Sequence, residues 1–154
     1  MAEIDIKIDD TELQRTLKGI LSRLGNIKPA AKLMGEIALE SITTNFEEGG
    51  RPKKWKKLAK RTIKERERQG KWPGRVLVRS GHAGGLMGAI AYTPLNDRVI
   101  VHADKVYARI HHYGGMAGPG RKVKIPARPY MMIQDEDWAE MQDALSNHIF
   151  RGAD

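Results

Sequence analysis

The chain is 154 residues long, with 27 Lys and Arg against 19 Asp and Glu and no cysteine. That length suits one domain around one core, and a composition of 40 % hydrophobic and 30 % charged residues excludes a chain disordered throughout. Without thiols there is no disulfide-stapled scaffold and no thiolate metal site, and no apolar run nears the roughly 18 residues of a spanning helix.

Met1 to Asp5 lacks the basic-then-apolar profile of a secretory signal, so a soluble intracellular-type product is expected. Ile4, Ile6 and Ile8 alternate with charged residues, the period of a half-buried strand. Asp9, three residues before Glu12, resembles a capping box for a helix carrying Leu13, Leu17, Ile20, Leu21 and Leu24 and ending at Gly25-Asn26. Pro29 opens a second helix with Leu33, Met34, Ile37, Ile42 and Phe46 as its stripe, stopped by Gly49-Gly50. Both helices are expected in the core.

From Arg51 to Arg79 there are 13 basic residues and two acidic ones, a charge of +11, which leaves −3 for the rest of the chain. Within this insert Trp55, Leu58, Ala59, Thr62 and Ile63 recur at helical spacing, a narrow apolar stripe expected to be ordered only against a partner. Gln69 to Gly74 forms a polar, turn-rich tip that leaves Trp72 facing solvent. Such a block binds phosphate, binds an acidic protein face, or stays solvated.

Beyond the insert, Val76 to Val78 is a short apolar run in a region patterned for strands, and Ser80-Gly81 opens a turn that includes Leu86. Ala89–Thr93 and Arg98–His102 predict a hairpin through Leu95-Asn96-Asp97. A short helix is expected over Val106–Tyr113, a flexible glycine-rich loop over Gly114–Gly120, and a brief strand over Val123–Ile125. Pro126 and Pro129 hold Ala127-Arg128 extended, and a last helix from Asp135 carries Trp138, Met141, Leu145 and Ile149 on one face.

A search for chemistry yields little. Gly115 to Lys122 fails as a phosphate loop, because Arg121 follows the last glycine, Val123 follows Lys122, and Pro119 removes a backbone donor. His111 and His112 diverge by about 100 degrees on a helix, and neither they nor His102 has a ligand partner at i, i+4. Ser80 and His82 lack the Gly-x-Ser-x-Gly elbow, and Asp135, Glu136 and Asp137 sit where a helix start favours negative charge. No enzyme and no cofactor are expected.

Read in order, several segments carry a family likeness: Phe46, Pro52, Trp55, Leu58, Thr62 and Arg66; Leu77, Ser80-Gly81, Leu86 and Ile90; Tyr107-Ala108-Arg109-Ile110-His111 with Gly114-Gly115; and Ile125-Pro126-Ala127-Arg128-Pro129-Tyr130. Together they resemble the virion morphogenesis or tail completion proteins of Mu-like and P2-like tailed bacteriophages. The likeness runs from Phe46 to Ile133, and it departs at His82 to Gly85, a looser turn than the usual Ser/Thr-Gly-x-Leu. It implies a non-enzymatic structural role at the head–tail junction, in a ring around the channel that DNA traverses.

The expected fold is α+β, a small, mostly antiparallel sheet packed on N-terminal and C-terminal helices, with residues 51–79 as a basic helical arm. The expected assembly is a homo-oligomeric ring, a hexamer or dodecamer, meeting neck, connector or tail terminator proteins, with packaged DNA in the lumen and no membrane. Subunit or partner contacts are expected at Trp55, Leu58, Arg66, Trp72, Tyr107, His111, Tyr113, Arg128 and Tyr130. Arg128 offers a planar fork for a carboxylate, or for an intrachain salt bridge that pins the last helix. DNA or an acidic partner is expected at Lys53, Lys54, Lys56, Lys57, Lys60, Arg61 and Lys64. The alternative is a free-standing nucleic-acid-binding module whose basic helix tracks phosphates.

Overall fold

Helix α2, Lys28–Glu48, is the element around which the chain is built. Small and branched residues bury much of its circumference, including Ala30, Ala31, Ile37, Ala38, Ile42 and Phe46, as expected of a helix covered on more than one side. In the computed structural model, which describes residues 11–79 and 85–151, α2 packs against α5, Asp135–Phe150, and against a hairpin of β1, Ile90–Pro94, and β2, Val99–Ala103. The hairpin pairs Ile90 with Ala103 and Tyr92 with Val101, so β1 turns Ile90, Tyr92 and Pro94 inward and Ala91 and Thr93 outward. Gly35 makes that contact close: a Cβ there would lie 2.2 Å from the Tyr92 ring.

Thr11–Leu24 forms α1 and Lys60–Arg68 forms α3; a 3-10 turn at Met87–Ala89 leads into β1. After the hairpin come α4, Ala108–Tyr113, and a second antiparallel pair, β3, Gly115–Ala117, with β4, Val123–Ile125. The class is therefore α+β, as expected, but among the described residues the strands form two separate two-stranded sheets. The main core joins Ile42, Phe46, Trp55, Leu86, Met87, Ile90, Ala108 and Tyr130, and a second cluster joins Ile37, Ala38 and Met141. Burying side chains of this size stabilises the fold by roughly 1.5–3 kcal/mol each.

Several expectations need correction. Helix α1 buries no residue: its stripe is exposed, with Leu13 at 59 % and Leu21 at 67 %. It is tied to the body near its C-terminal end, where Arg23 Nε donates to the Ile149 carbonyl and His148 Nε2 lies 3.0 Å from the Asn26 carbonyl. The stripe from Trp55 to Ile63 is not one helix, because the chain is extended until Ala59 and α3 starts at Lys60. Val76–Val78 is a turn in which Leu77 takes φ 64, and the glycine-rich loop contains β3. The strand expected over Ile4–Ile8, the Asp9 cap, and the turn at Ser80-Gly81 with His82 lie outside the described residues.

At the start of α5, Asp137 closes a capping box with Gln134, confirming that acidic run as a cap. The same carboxylate accepts a hydrogen bond from the Ser41 hydroxyl and lies 3.8 Å from Arg51.

Candidate functional site

The basic insert folds back onto the body and builds one wall of a groove. It leaves α2 through Gly49 and Gly50. At Gly50, with φ 108, a Cβ would come within 2.7 Å of both the Lys53 carbonyl and the Trp55 ring, so only glycine lets the chain turn here. The Trp55 amide donates to the Gly49 carbonyl at 2.7 Å, and its indole, 8 % exposed, stands edge-on to Phe46 with centroids 5.7 Å apart. Arg128 next clamps the insert, donating from Nε and Nη2 to the Lys56 carbonyl at 3.2 and 3.1 Å. Arg66, on α3 and buried, fastens the returning strand by donating from Nη1 to the carbonyls of Arg75 and Val78. Arg79 pairs with Glu65 at 2.9 Å, and Arg75 lies 3.5 Å from Glu47.

The opposite wall is set by the rigid Pro126–Pro129 segment. The Arg128 amide donates to the His111 carbonyl at 2.9 Å, which fixes α4 beside this segment. The Tyr130 hydroxyl donates to the Ala108 carbonyl, and Asn45 Nδ2 donates to the carbonyls of Tyr130 and Met132. Tyr130 is 1 % exposed, with its ring against Phe46 and His112.

Between the walls lies a groove of about 930 Å³. Its apolar lining includes Leu58, Leu77, Leu86, Val123 and Ile125, with Tyr107, His111 and Thr62 beside them. Seven cationic residues also line it, Lys56, Lys57, Lys60, Arg66, Arg79, Lys124 and Arg128, and among the described residues no Asp or Glu does. Among the described residues, no ion pair reaches Lys56, Lys57, Lys60 or Lys124.

The electrostatics record this excess. Burial, and then the charge of Arg79, lowers the pKa of Arg66; burial, and then the charge of Arg66, lowers that of Arg128. His111 is held below the usual histidine range by burial and by Arg128. Guanidinium groups stay protonated through such shifts, so the groove keeps a concentrated positive field. Among the described residues, the buried Arg66 Nε and His111 Nδ1 have no hydrogen-bond partner, and an unmade hydrogen bond at a buried polar atom costs about 1–3 kcal/mol. A groove lined by apolar side chains and cations suits an extended anionic segment with some apolar character.

Of the residues expected at contacts, Leu58, Arg66, Tyr107, His111, Arg128, Lys56, Lys57 and Lys60 come together here. Trp55 and Tyr130 do not serve as partner anchors, because both are buried in this chain's own core. Arg128 forms no salt bridge to the last helix; its hydrogen bonds hold the insert instead. Trp72, Tyr113, Lys53, Lys54, Arg61 and Lys64 lie outside the groove, and Lys54 pairs with Glu48 at 3.0 Å. Sequence reasoning missed Leu77, Arg79 and Lys124. Arg79 closes the basic run, and Lys124 adjoins the Pro-Ala-Arg-Pro segment that carries Arg128, so proximity to those features is the signal that points to them.

Residues 8–149 match the phage virion morphogenesis family. The chain belongs to that family. Among curated members, it is 32 % identical over 147 residues to the Mu-like prophage FluMu G protein 2 of Haemophilus influenzae, covering 95 % of this chain and 96 % of that one. It is 27 % identical over 142 residues to the putative capsid assembly protein G of Escherichia phage Mu, covering 88 % and 89 %. No solved structure matches.

Proposed function

We propose that this chain is a structural protein of the bacteriophage head–tail junction, a neck or tail completion component that assembles as a ring of identical subunits and joins head to tail. The groove is the observation that carries this reading: its lining combines apolar side chains with seven cations and, among the described residues, no carboxylate. The insert holds +11 and the rest of the chain −3, so one subunit's groove and another's acidic surface attract each other. Contact between two different faces of successive subunits is heterologous, and it closes into a ring when the rotation allows. The role needs no catalysis and no cofactor. Its partners are further copies of the chain and the neighbouring neck, connector or tail terminator proteins, in a virion assembled in the host cytoplasm.

Native mass spectrometry of the purified chain, alone and with its neck partners, tests the assembly. A ring mass is expected, and a strict monomer in both samples would sink the proposal. The cationic lining also favours a second reading, phosphate binding by a free-standing nucleic-acid module. That reading requires tight DNA binding that weakens steeply with salt. Against it, the apolar lining is largely aliphatic, and Tyr107 and His111 alone, the two aromatic rings among the described lining residues, make no ladder on which successive bases would stack.

A further inference from the structure

Helix α5 presents an acidic face that carries an exposed tryptophan. From Pro129 to Asn147 the chain holds five acids and no Lys or Arg. Two of these acids are engaged within the chain: Asp137 caps α5 and accepts from Ser41, and Glu136 lies 4.0 Å from Arg51. Asp135, Glu140 and Asp143 are exposed, and among the described residues no ion pair reaches them. Trp138 is 51 % exposed. At helical spacing its neighbours are Asp135 and Gln142, and Asp135, Ala139 and Asp143 form the adjoining row, all of them exposed.

This face is held in place before any partner arrives. Helix α5 packs on α2 and also meets α1, whose hydrogen bonds to it are at the C-terminal end, from Arg23 to the Ile149 carbonyl and between His148 and the Asn26 carbonyl. The capping box and the Ser41 hydrogen bond fix the other end, where Trp138 stands. A surface already ordered loses little entropy on binding. No residue of α5 lines the groove of its own copy. The groove is nonetheless the chemical complement of this face, with Lys56, Lys57, Lys60 and Lys124 beside Leu58, Leu77, Leu86, Val123 and Ile125. Its volume of about 930 Å³ lies in the range of pockets that enclose a whole small molecule, ample room for an indole.

We propose that the groove receives the Trp138 face of α5 from a neighbouring copy. Trp138 enters among the apolar side chains, and Asp135 and Asp143 beside it meet the groove lysines. A buried tryptophan is a frequent anchor of protein interfaces, while complementary charge steers the encounter and fixes its orientation. A phosphate chain would answer the cations and leave the apolar lining without a partner; the α5 face answers both. Each copy offers one face and receives with another, so the contact is heterologous. The inference rests on the ring proposed above and names the contact that closes it.

The test uses the full-length chain, followed by native mass spectrometry at one fixed concentration with circular dichroism as the check of folding. Trp138→Ala, reversal of the α5 face (Asp135→Lys with Asp143→Lys) and reversal of the groove (Lys57→Glu with Lys124→Glu) are each expected to lower the ring fraction by about tenfold or more. Combining the two reversals in one chain is expected to restore the ring. Rings that persist in Trp138→Ala or in either reversal, or that fail to return in the combined variant, overturn the inference and leave the ring itself standing. A wild-type chain that is monomeric alone and with neck partners overturns the ring reading and this contact with it. If the groove reversal abolishes binding of a single-stranded DNA oligonucleotide while the ring mass is unchanged, the groove reads phosphate and the α5 contact is overturned.

Discussion

The helix that looks most like core in this chain is outside, and the segment that looks most like a solvated arm is partly inside. Helix α1 has leucines at positions 13, 17, 21 and 24, and all four are exposed. The 51–79 insert, with 13 basic residues, places Trp55 and Arg66 in the interior and packs Val76, Leu77 and Val78 against the main core. The difference lies in what each segment can reach. An apolar stripe states that a face gains from cover without naming what covers it. A charged segment docks when a few residues carry the contact, here one indole and two guanidinium groups that donate to main-chain carbonyls. Arginine suits that role because its stem is apolar and its planar fork can satisfy several acceptors at once.

If the insert is held this way, the largest loss of stability comes from Trp55→Ala, which empties a site against Phe46. A cost of about 3–5 kcal/mol is expected, the range for deleting a large core aromatic, measured by urea unfolding. A cost under about 1 kcal/mol would mean that the insert is not part of the core and would undo the comparison. Arg128→Met comes next, at about 1.5–3 kcal/mol, because it leaves the Lys56 carbonyl without its charged donor. Arg128→Lys is expected to recover part of that loss, since an ammonium can donate to the same carbonyl without the two-point geometry. Limited proteolysis sharpens the point: Arg128→Met should expose the Lys53–Lys57 stretch to trypsin faster than the wild type does.

What was legible in advance follows the same division. The hairpin of β1 and β2, the ends of α1 and α2, and the start of α5 are set by local signals: alternation, Gly25, Gly49, and an acidic first turn. The family was legible too, because Tyr107–His111 and Ile125–Tyr130 carry it as ordered motifs. The roles of Trp55, Tyr130 and Arg128 were not, since an aromatic or arginine in a family motif fits an interface and a core equally well until its neighbours are known. Tyr130 meets Phe46 and Asn45 across more than 80 residues of chain, a contact no local pattern encodes. Half of the groove was visible as the basic run; the half built by Leu77, Leu86 and β4 depends on how the insert folds back.

A smaller effect is expected from pH. Burial lowers the pKa of both His111 and His112, and the charge of Arg128 adds to the effect on His111. An unfolded chain titrates these groups near 6.5, so between that value and the lower folded ones the unfolded state binds more protons. Their contribution is therefore complete above about pH 6.5 and is lost as pH falls through the folded values. Burial is the cause at His112, and the Met131 amide lies 3.5 Å from its Nδ1, a contact that the neutral ring accepts. The urea midpoint should fall between about pH 7 and pH 5, and His111→Gln with His112→Asn should flatten that slope. An unchanged slope would place the sensitivity in other groups.

The smallest effect tests the other side of the comparison. Leu17 and Leu21 project from α1 into solvent in the isolated chain, so Leu17→Gln and Leu21→Gln remove little buried surface. Glutamine is nearly as good a helix former as leucine, so propensity changes little either. Each substitution should cost no more than about 0.5 kcal/mol, the usual range for exposed positions away from special features, whereas Ile42→Ala on α2 should cost about 2–5 kcal/mol. Urea unfolding measures both. If the α1 substitutions cost as much as Ile42→Ala, α1 packs against its own body in solution.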